Sequence, residues 1–366
     1  MAAEGADDFE RWHVKSSYQD FVRQEGVPLY EGSGLPDLGS LELGEWPRRG
    51  GRAAYTRLGD QESYNLQIVE IPASGQLAPE HHVYEAIMFV LKGHGATSVW
   101  QTGEAKHTVE WREGSLLAIP LNAWHQEFNG SGSEPCRVLF GTNMAQVLNL
   151  YHNLGFVFDN PYAFSDRFLA GAREYYSDLG RKRNLKLHET NFIPDVRAFE
   201  LDSAEDRGRR AGMMRLAMGD SSIGVHLMSV SEGTYVTAHR HFAGPHVIVV
   251  EGQGYEIFFM PDEEQRRRRR VEANPYTVIA PRLNEFHQHF NIGRGAYRML
   301  AFTPFPAKYG MGRSYDPELT SRSDNRHSWT YMIPFEDEDP ALREEYYANL
   351  RRNGIELQLE PLKQGA

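Results

Sequence analysis

Between Tyr64 and about Pro304 the chain reads as short apolar or alternating runs cut by turn residues, the texture of an all-β protein. Residues 65–71, 87–92, 96–101, 107–111, 116–119 and 136–141 predict strands, with Gly93-His94-Gly95 and Glu113-Gly114 among the turns between them. A second β-rich stretch runs from about Arg215, through the alternating residues 224–230 and the apolar 247–250. Helical spacing is confined to the flanks and the middle. Residues 8–25 place Phe9, Trp12, Tyr18, Phe21 and Val22 at helical intervals and stop at Gly26-Val27-Pro28; residues 144–154 and 163–176 predict helices; residues 339–353 predict another, with Pro340 at its start and Gly354 as its stop. Residues 28–52 form a Gly- and Pro-rich extended arm, and 355–359 a short closing strand. The resulting units are 1–50 (helix and arm), 51–143 (first β unit), 144–200 (helical connector), 201–310 (second β unit) and 311–366 (tail with a helix).

The two β units repeat one another. Gly75, Glu80-His81-His82 and Gly93 in the first match Gly233, His239-Arg240-His241 and Gly252 in the second. A later motif, Gly114-x5-Pro120-x4-His125-x3-Asn129, matches Pro281-x5-His287-x3-Asn291. His82 and His241 are 159 residues apart, His125 and His287 162. Repetition at so long a period is a duplicated domain, each copy being large enough to enclose its own core.

The second copy carries a candidate metal site. Residues two apart on a strand face the same side, so His239 and His241 can point inward together, and His287 arrives from a later hairpin. Three neutral imidazoles suit a borderline divalent ion and leave positions open for substrate. His289, two residues beyond His287, can share its face as a hydrogen-bonding or proton-transfer group, or be a packed strand histidine. Asn291 is read as a residue that orients its loop. In the first copy, counting from Gly75 selects His81 and Val83, whereas counting back from Gly93 selects Glu80 and His82. The set Glu80, His82 and His125 matches the second copy and forms a carboxylate-plus-two-histidine arrangement, a candidate second site. Glu127 stands in the place of His289.

These motifs resemble those of the cupin superfamily, over roughly residues 51–310, with Asn122 where the second motif has an inner Gly. The resemblance implies two tandem jelly-roll barrels (double-stranded β-helices) with helical N-terminal, linker and C-terminal segments, an all-β-dominated fold. It also implies a glutamate ligand, but Pro245 stands in that place in the second copy, and in the first Ala86 does, with Glu85 one residue before it. His246 beside Pro245 is thus an alternative fourth ligand. The run from His239 to Gly252, with Phe286-His287-Gln288-His289-Phe290-Asn291, is similar to gentisate 1,2-dioxygenase and related ring-cleaving bicupins, which implies iron(II) held by three histidines and a hydroxy acid chelating it beside dioxygen. Such enzymes typically keep the active site in the N-terminal lobe; here the complete histidine set is in the C-terminal one.

The favoured expectation is a non-haem iron(II) dioxygenase acting on a small aromatic or enolisable hydroxy acid. Manganese, nickel or zinc are alternative ions, and a Lewis-acid lyase, hydrolase or isomerase, or a non-catalytic ligand-binding bicupin, are the alternative functions. Arg215, Arg282 and Arg298 lie on second-unit segments from which one could clamp a carboxylate, Arg282 and Arg298 being retained with His289 as catalytic candidates. Composition narrows the partners. At 366 residues, 40% hydrophobic and with a formal charge of −11, the chain reads as globular and not as a nucleic-acid binder; Arg266 to Arg270, following Asp262-Glu263-Glu264, reads as a solvated hairpin tip. No membrane span or secretion signal is seen and the one cysteine, Cys136, sits in a strand-like run as a buried inert thiol, so a cytoplasmic homo-oligomer acting on a small molecule, with O2 as co-substrate, is expected.

Overall fold

The computed structural model describes residues 15–168, 174–176, 180–184, 186–204, 210–241, 244–261, 268–304, 308–309 and 331–358. Among these, four sheets form two lobes with the same strand order. In the first lobe the large sheet runs, in spatial order, Gly51–Leu58, Asn65–Ile71, Cys136–Thr142, Ala86–Lys92 and Leu116–Ile119; in the second it runs Gly212–Ala217, Gly224–Val230, Tyr297–Thr303, His246–Glu251 and Val278–Ile279. The small sheets correspond as well, Trp124–Asn129, His94–Trp100 and His107–Arg112 against Phe286–Asn291, Gly254–Phe259 and Arg269–Ala273. Each jelly roll closes a large sheet over a small one.

The large sheets are buried on both faces, which is why their strands read as continuous apolar runs. Met88 and Val90 face the interior of the first lobe, while Ile87, Phe89 and Leu91 face outward. In the second lobe Val247, Val249, Met299 and Ala301 face the interior, while Ile248, Val250, Leu300 and Phe302 face outward. The two outward faces meet in one core between the lobes. At Gly141 they approach closely, since a Cβ there would lie 2.4 Å from the Phe302 ring.

The flanking segments tie the lobes together. The arm crosses to the second lobe, where Gly34 and Leu35 pair with Ile279 and Val278. The helix Ser17–Glu25 is capped by Ser16, whose side chain accepts from the Gln19 N–H, and it buries Tyr18, Phe21 and Val22 on the first lobe; the expected residues 8–14 lie outside the described residues. The predicted helix 144–154 is two, Met144–Tyr151 and Leu154–Phe158, broken at His152 in the left-handed conformation. Residues 165–167 and 174–176 make turns, not the helix expected over 163–176, of which 169–173 lie outside the described residues. The tail helix Pro340–Arg352, capped by Asp339, packs Leu342, Tyr346 and Leu350 on the outer face of the second small sheet. The strand expected at 355–359 is absent from 355–358, although Ile355 is buried there; residue 359 lies outside the described residues.

Of the arginine run, residues 266 and 267 lie outside the described residues, while Arg268, Arg269 and Arg270 pair with Asp339, Glu285 and Glu345. Cys136 is buried, and burial pushes its thiol up to about 12, in keeping with an inert role. No described helix is long and apolar enough to cross a membrane.

Candidate metal centres in the two lobes

Backbone pairing places the histidines. His239, on the short strand His239–Arg240, stands directly opposite His287 of Phe286–Asn291. In the first lobe the isolated bridge Glu80 to His125 is its counterpart, and Gln76 to Phe128 repeats Tyr235 to Phe290. The duplication seen in the sequence is therefore a duplication of register. The hairpin before each later histidine turns at an asparagine in the left-handed region, Asn122 (φ 53°) and Asn284 (φ 64°), a conformation asparagine tolerates better than most side chains. Asn291 holds its own loop, donating to the carbonyls of Val230 and Gly295 and accepting from the Gly293 N–H.

In the second lobe one donor atom from each of His239, His241 and His287 lies within 4.8 Å of the others. The Nδ1 atoms of His239 and His287 face the carbonyls of Thr237 (3.1 Å) and Glu285 (3.4 Å). A carbonyl only accepts, so Nδ1 carries the proton and Nε2 keeps its lone pair for an ion. The cavity is walled by Met228, Pro245, Val247, Met299 and Ala301, with His226 and His289, and its free space, about 10 Å³, is no more than a single ion or water would fill. His289 lines this wall, its ring 5.5 Å from that of His239. Behind it Nδ1 lies 2.5 Å from Glu256 Oε2, and the other oxygen of Glu256 accepts from the Tyr297 hydroxyl at 2.8 Å. All three side chains are buried. Burial and the nearby Glu256 carboxylate raise Tyr297 well above the usual phenol range, so it stays a donor.

The first lobe brings Glu80, His82 and His125 together in the same way, again within 4.8 Å. His81 turns outward to Asn122 and Trp124, which settles the register in favour of Glu80 and His82. His82 Nδ1 donates to the Tyr84 carbonyl (2.8 Å), His125 Nδ1 to Glu127 Oε1 (2.7 Å), and the two Nε2 atoms face each other at 3.2 Å. Burial holds His82 well below the ordinary imidazole range and lowers His125 too. Burial alone would raise Glu127, but His125 and Arg49 hold it below the ordinary carboxylate range. Arg49 itself lines the cavity.

Four expected site residues, His246, Arg298, Arg282 and Arg215, lie elsewhere. His246 is next to the inward-facing Val247, so strand alternation turns it into the core between the lobes; its Nε2 lies 3.3 Å from the Leu58 carbonyl, its ring packs on Tyr64, and burial pushes it down to about 4. It is not a fourth ligand. Arg298 alternates with the inward Met299 and so shares the outward face of Leu300, donating to the Phe199 carbonyl. Arg282 is 58% exposed, with Nε 3.5 Å from Asp60, and Arg215 is exposed. Neither Arg282 nor Arg298 lines the second-lobe cavity. Glu85 binds Arg167, Ser222 and Asn143 outside the first-lobe site. Conversely Arg49, Glu256, Tyr297 and His226 were not singled out from the sequence: only strand pairing shows that Glu256 stands opposite His289.

No protein family model and no curated protein sequence matches this chain. Among solved structures, a Bacillus subtilis oxalate decarboxylase, studied for its Mn(II) centres, is similar at TM-score 0.50 and 14% identity, covering 76% of this chain and 78% of that one. An oxalate decarboxylase structure concerned with substrate binding mode and reaction specificity gives 0.50 at 13% identity over the same shares. The Momordica charantia 7S globulin gives 0.46 at 13% identity, covering 74% of this chain and 83% of that one. At these identities the likeness is one of fold. With the repeated strand order it gives a fold of two tandem cupin-type barrels.

Proposed function

We propose that this chain is a metal-dependent bicupin enzyme whose C-terminal lobe holds a divalent ion through His239, His241 and His287. One observation carries the reading: a cluster of three imidazoles, His239 and His287 buried and His241 partly so, whose donor atoms lie within 4.8 Å of one another while the Nδ1 atoms of His239 and His287 face backbone carbonyls. Three neutral donors leave a bound ion its full charge, so it would polarise an anionic substrate oxygen and, as iron(II), supply the redox chemistry of a dioxygenase. His289 lines the same cavity with the Glu256 carboxylate against its Nδ1 and Tyr297 donating to Glu256 behind it, so its Nε2 would serve as a proton acceptor toward the substrate. The substrate is a small hydroxy acid, with iron(II) and O2 favoured by the resemblance of the two histidine motifs to ring-cleaving dioxygenases.

A second reading, a non-redox lyase of a small carboxylic acid using manganese, draws on the likeness of fold to oxalate decarboxylase and its Mn(II) centres. Elemental analysis of protein purified without added metal, followed by paired oxygen and substrate measurements, separates the two. Oxygen uptake in step with loss of a hydroxy acid by the ferrous protein, and none by the zinc form, supports the dioxygenase. Equal turnover by both forms under strict exclusion of oxygen overturns it in favour of the lyase.

A further inference from the structure

Where the second lobe has His239 and His289, the first has Glu80 and Glu127, an exchange of two imidazole rings for two carboxylates at the same register. Glu127 is fully buried and Glu80 nearly so, and carboxylates removed from water require a cation or a proton. Both find a guanidinium. Arg49, 2% exposed, enters the cavity from the arm just before Gly51–Leu58; one terminal nitrogen contacts Glu80 Oε1 and the other lies 2.6 Å from Glu127 Oε2. The second oxygen of Glu80 receives Arg48 at 2.5 Å. The backbone fixes this entry, since Arg49 and Gly50 N–H groups both donate to the Trp46 carbonyl and the Arg49 carbonyl accepts from Ala78.

We propose that Arg49 is the resident cation of the first lobe, standing in for a divalent ion, and that this lobe is a metal-free counterpart of the second. A planar guanidinium suits the task because it bridges two carboxylates through separate N–H donors, which a point charge on a lysine does less well. Glu80 has both oxygens committed to arginines, so the one anionic donor of the first set is withdrawn from any ion. His82 and His125 keep their inward Nε2 atoms, and removal of the guanidinium therefore reopens a complete carboxylate-plus-two-histidine site. The inference concerns the first lobe alone and does not depend on what the second lobe catalyses.

The test counts ions in full-length chains whose second site is disabled by His287→Ala. After exposure to Mn(II) or Zn(II) and desalting, His287→Ala should retain no more metal than His287→Ala/His82→Ala. One ion per chain in the former, lost in the latter, overturns the proposal. Adding Arg49→Met to His287→Ala should bring in about one ion per chain, removed again by His82→Ala; a folded Arg49→Met chain, checked by thermal melting, that gains none overturns the stand-in role. Should Arg49→Met fail to fold, Arg49→Met/Glu127→Gln removes one uncompensated charge and is read by the same two criteria. Failure of the second-lobe reading shows separately, as wild-type protein that binds no ion at all.

Discussion

Two cavities of the same register differ in their charge. The second lobe lines its cavity with the imidazole rings of His239, His241, His287 and His289 and keeps its carboxylate, Glu256, one layer back; the first puts Glu80 at the cavity with Glu127 behind His125, and brings Arg49 in to meet both. The difference shows how a duplicated fold can separate roles without altering its strands. Neutral imidazoles can remain buried without a partner charge, so they can wait for an ion; a buried pair of carboxylates cannot, and its compensation becomes part of the chain.

The sharpest way to break the comparison is His287→Ala. Removing the ligand that faces His239 across the strand pair should abolish metal retention in the second lobe, with affinity falling by well over the ~10–100-fold typical of losing an outer-layer partner. Metal content by mass spectrometry checks this, and His82→Ala should leave it unchanged. Arg49→Met comes next. It leaves Glu127 and Glu80 buried without their bridging cation, and about 3–5 kcal/mol of folding stability should be lost in chemical denaturation, whereas a comparable truncation of the exposed Arg282 should cost under ~1 kcal/mol.

Glu338 tests the support behind the second lobe. It accepts from Tyr235 (2.6 Å) and Gln288 (2.8 Å), the neighbour of His287, and burial pushes it up to about 7. Its folded-state value lies above the unfolded one, so its stabilising protonated form is fully present below about pH 4.5, and the contribution is lost as pH rises toward 7. The loss amounts to about 3 kcal/mol across that window. Glu338→Gln should flatten the fall in melting temperature between pH 5 and 7.5; an unchanged slope would remove Glu338 as its source. The smallest effect is expected for Tyr64→Phe. Tyr64, in the first lobe, donates to the Gly244 carbonyl at 2.6 Å, three residues beyond His241 in the chain, and its loss should cost about 1 kcal/mol and weaken second-lobe metal binding by up to ~10-fold in a chelator competition.

Much of this architecture was legible in the amino-acid order. Strand runs, turns and the 159- and 162-residue offsets carried the two barrels, and the strand pairings reproduce the same offsets through Glu80 with His125 and His239 with His287. Local chemistry determined these features: turn residues, strand alternation and histidine spacing act within a few residues of one another. Tertiary structure alone decided which face His246 and Arg298 present, because sheets buried on both faces replace the period-two pattern with continuous apolar runs and erase the sign of inward and outward. It also decided that Arg49, from an arm with no motif, would reach Glu127, 78 residues away, and that Glu256 would stand behind His289. Such pairings depend on where two distant strands meet, and a charge on one strand carries no mark of the partner it will find on another.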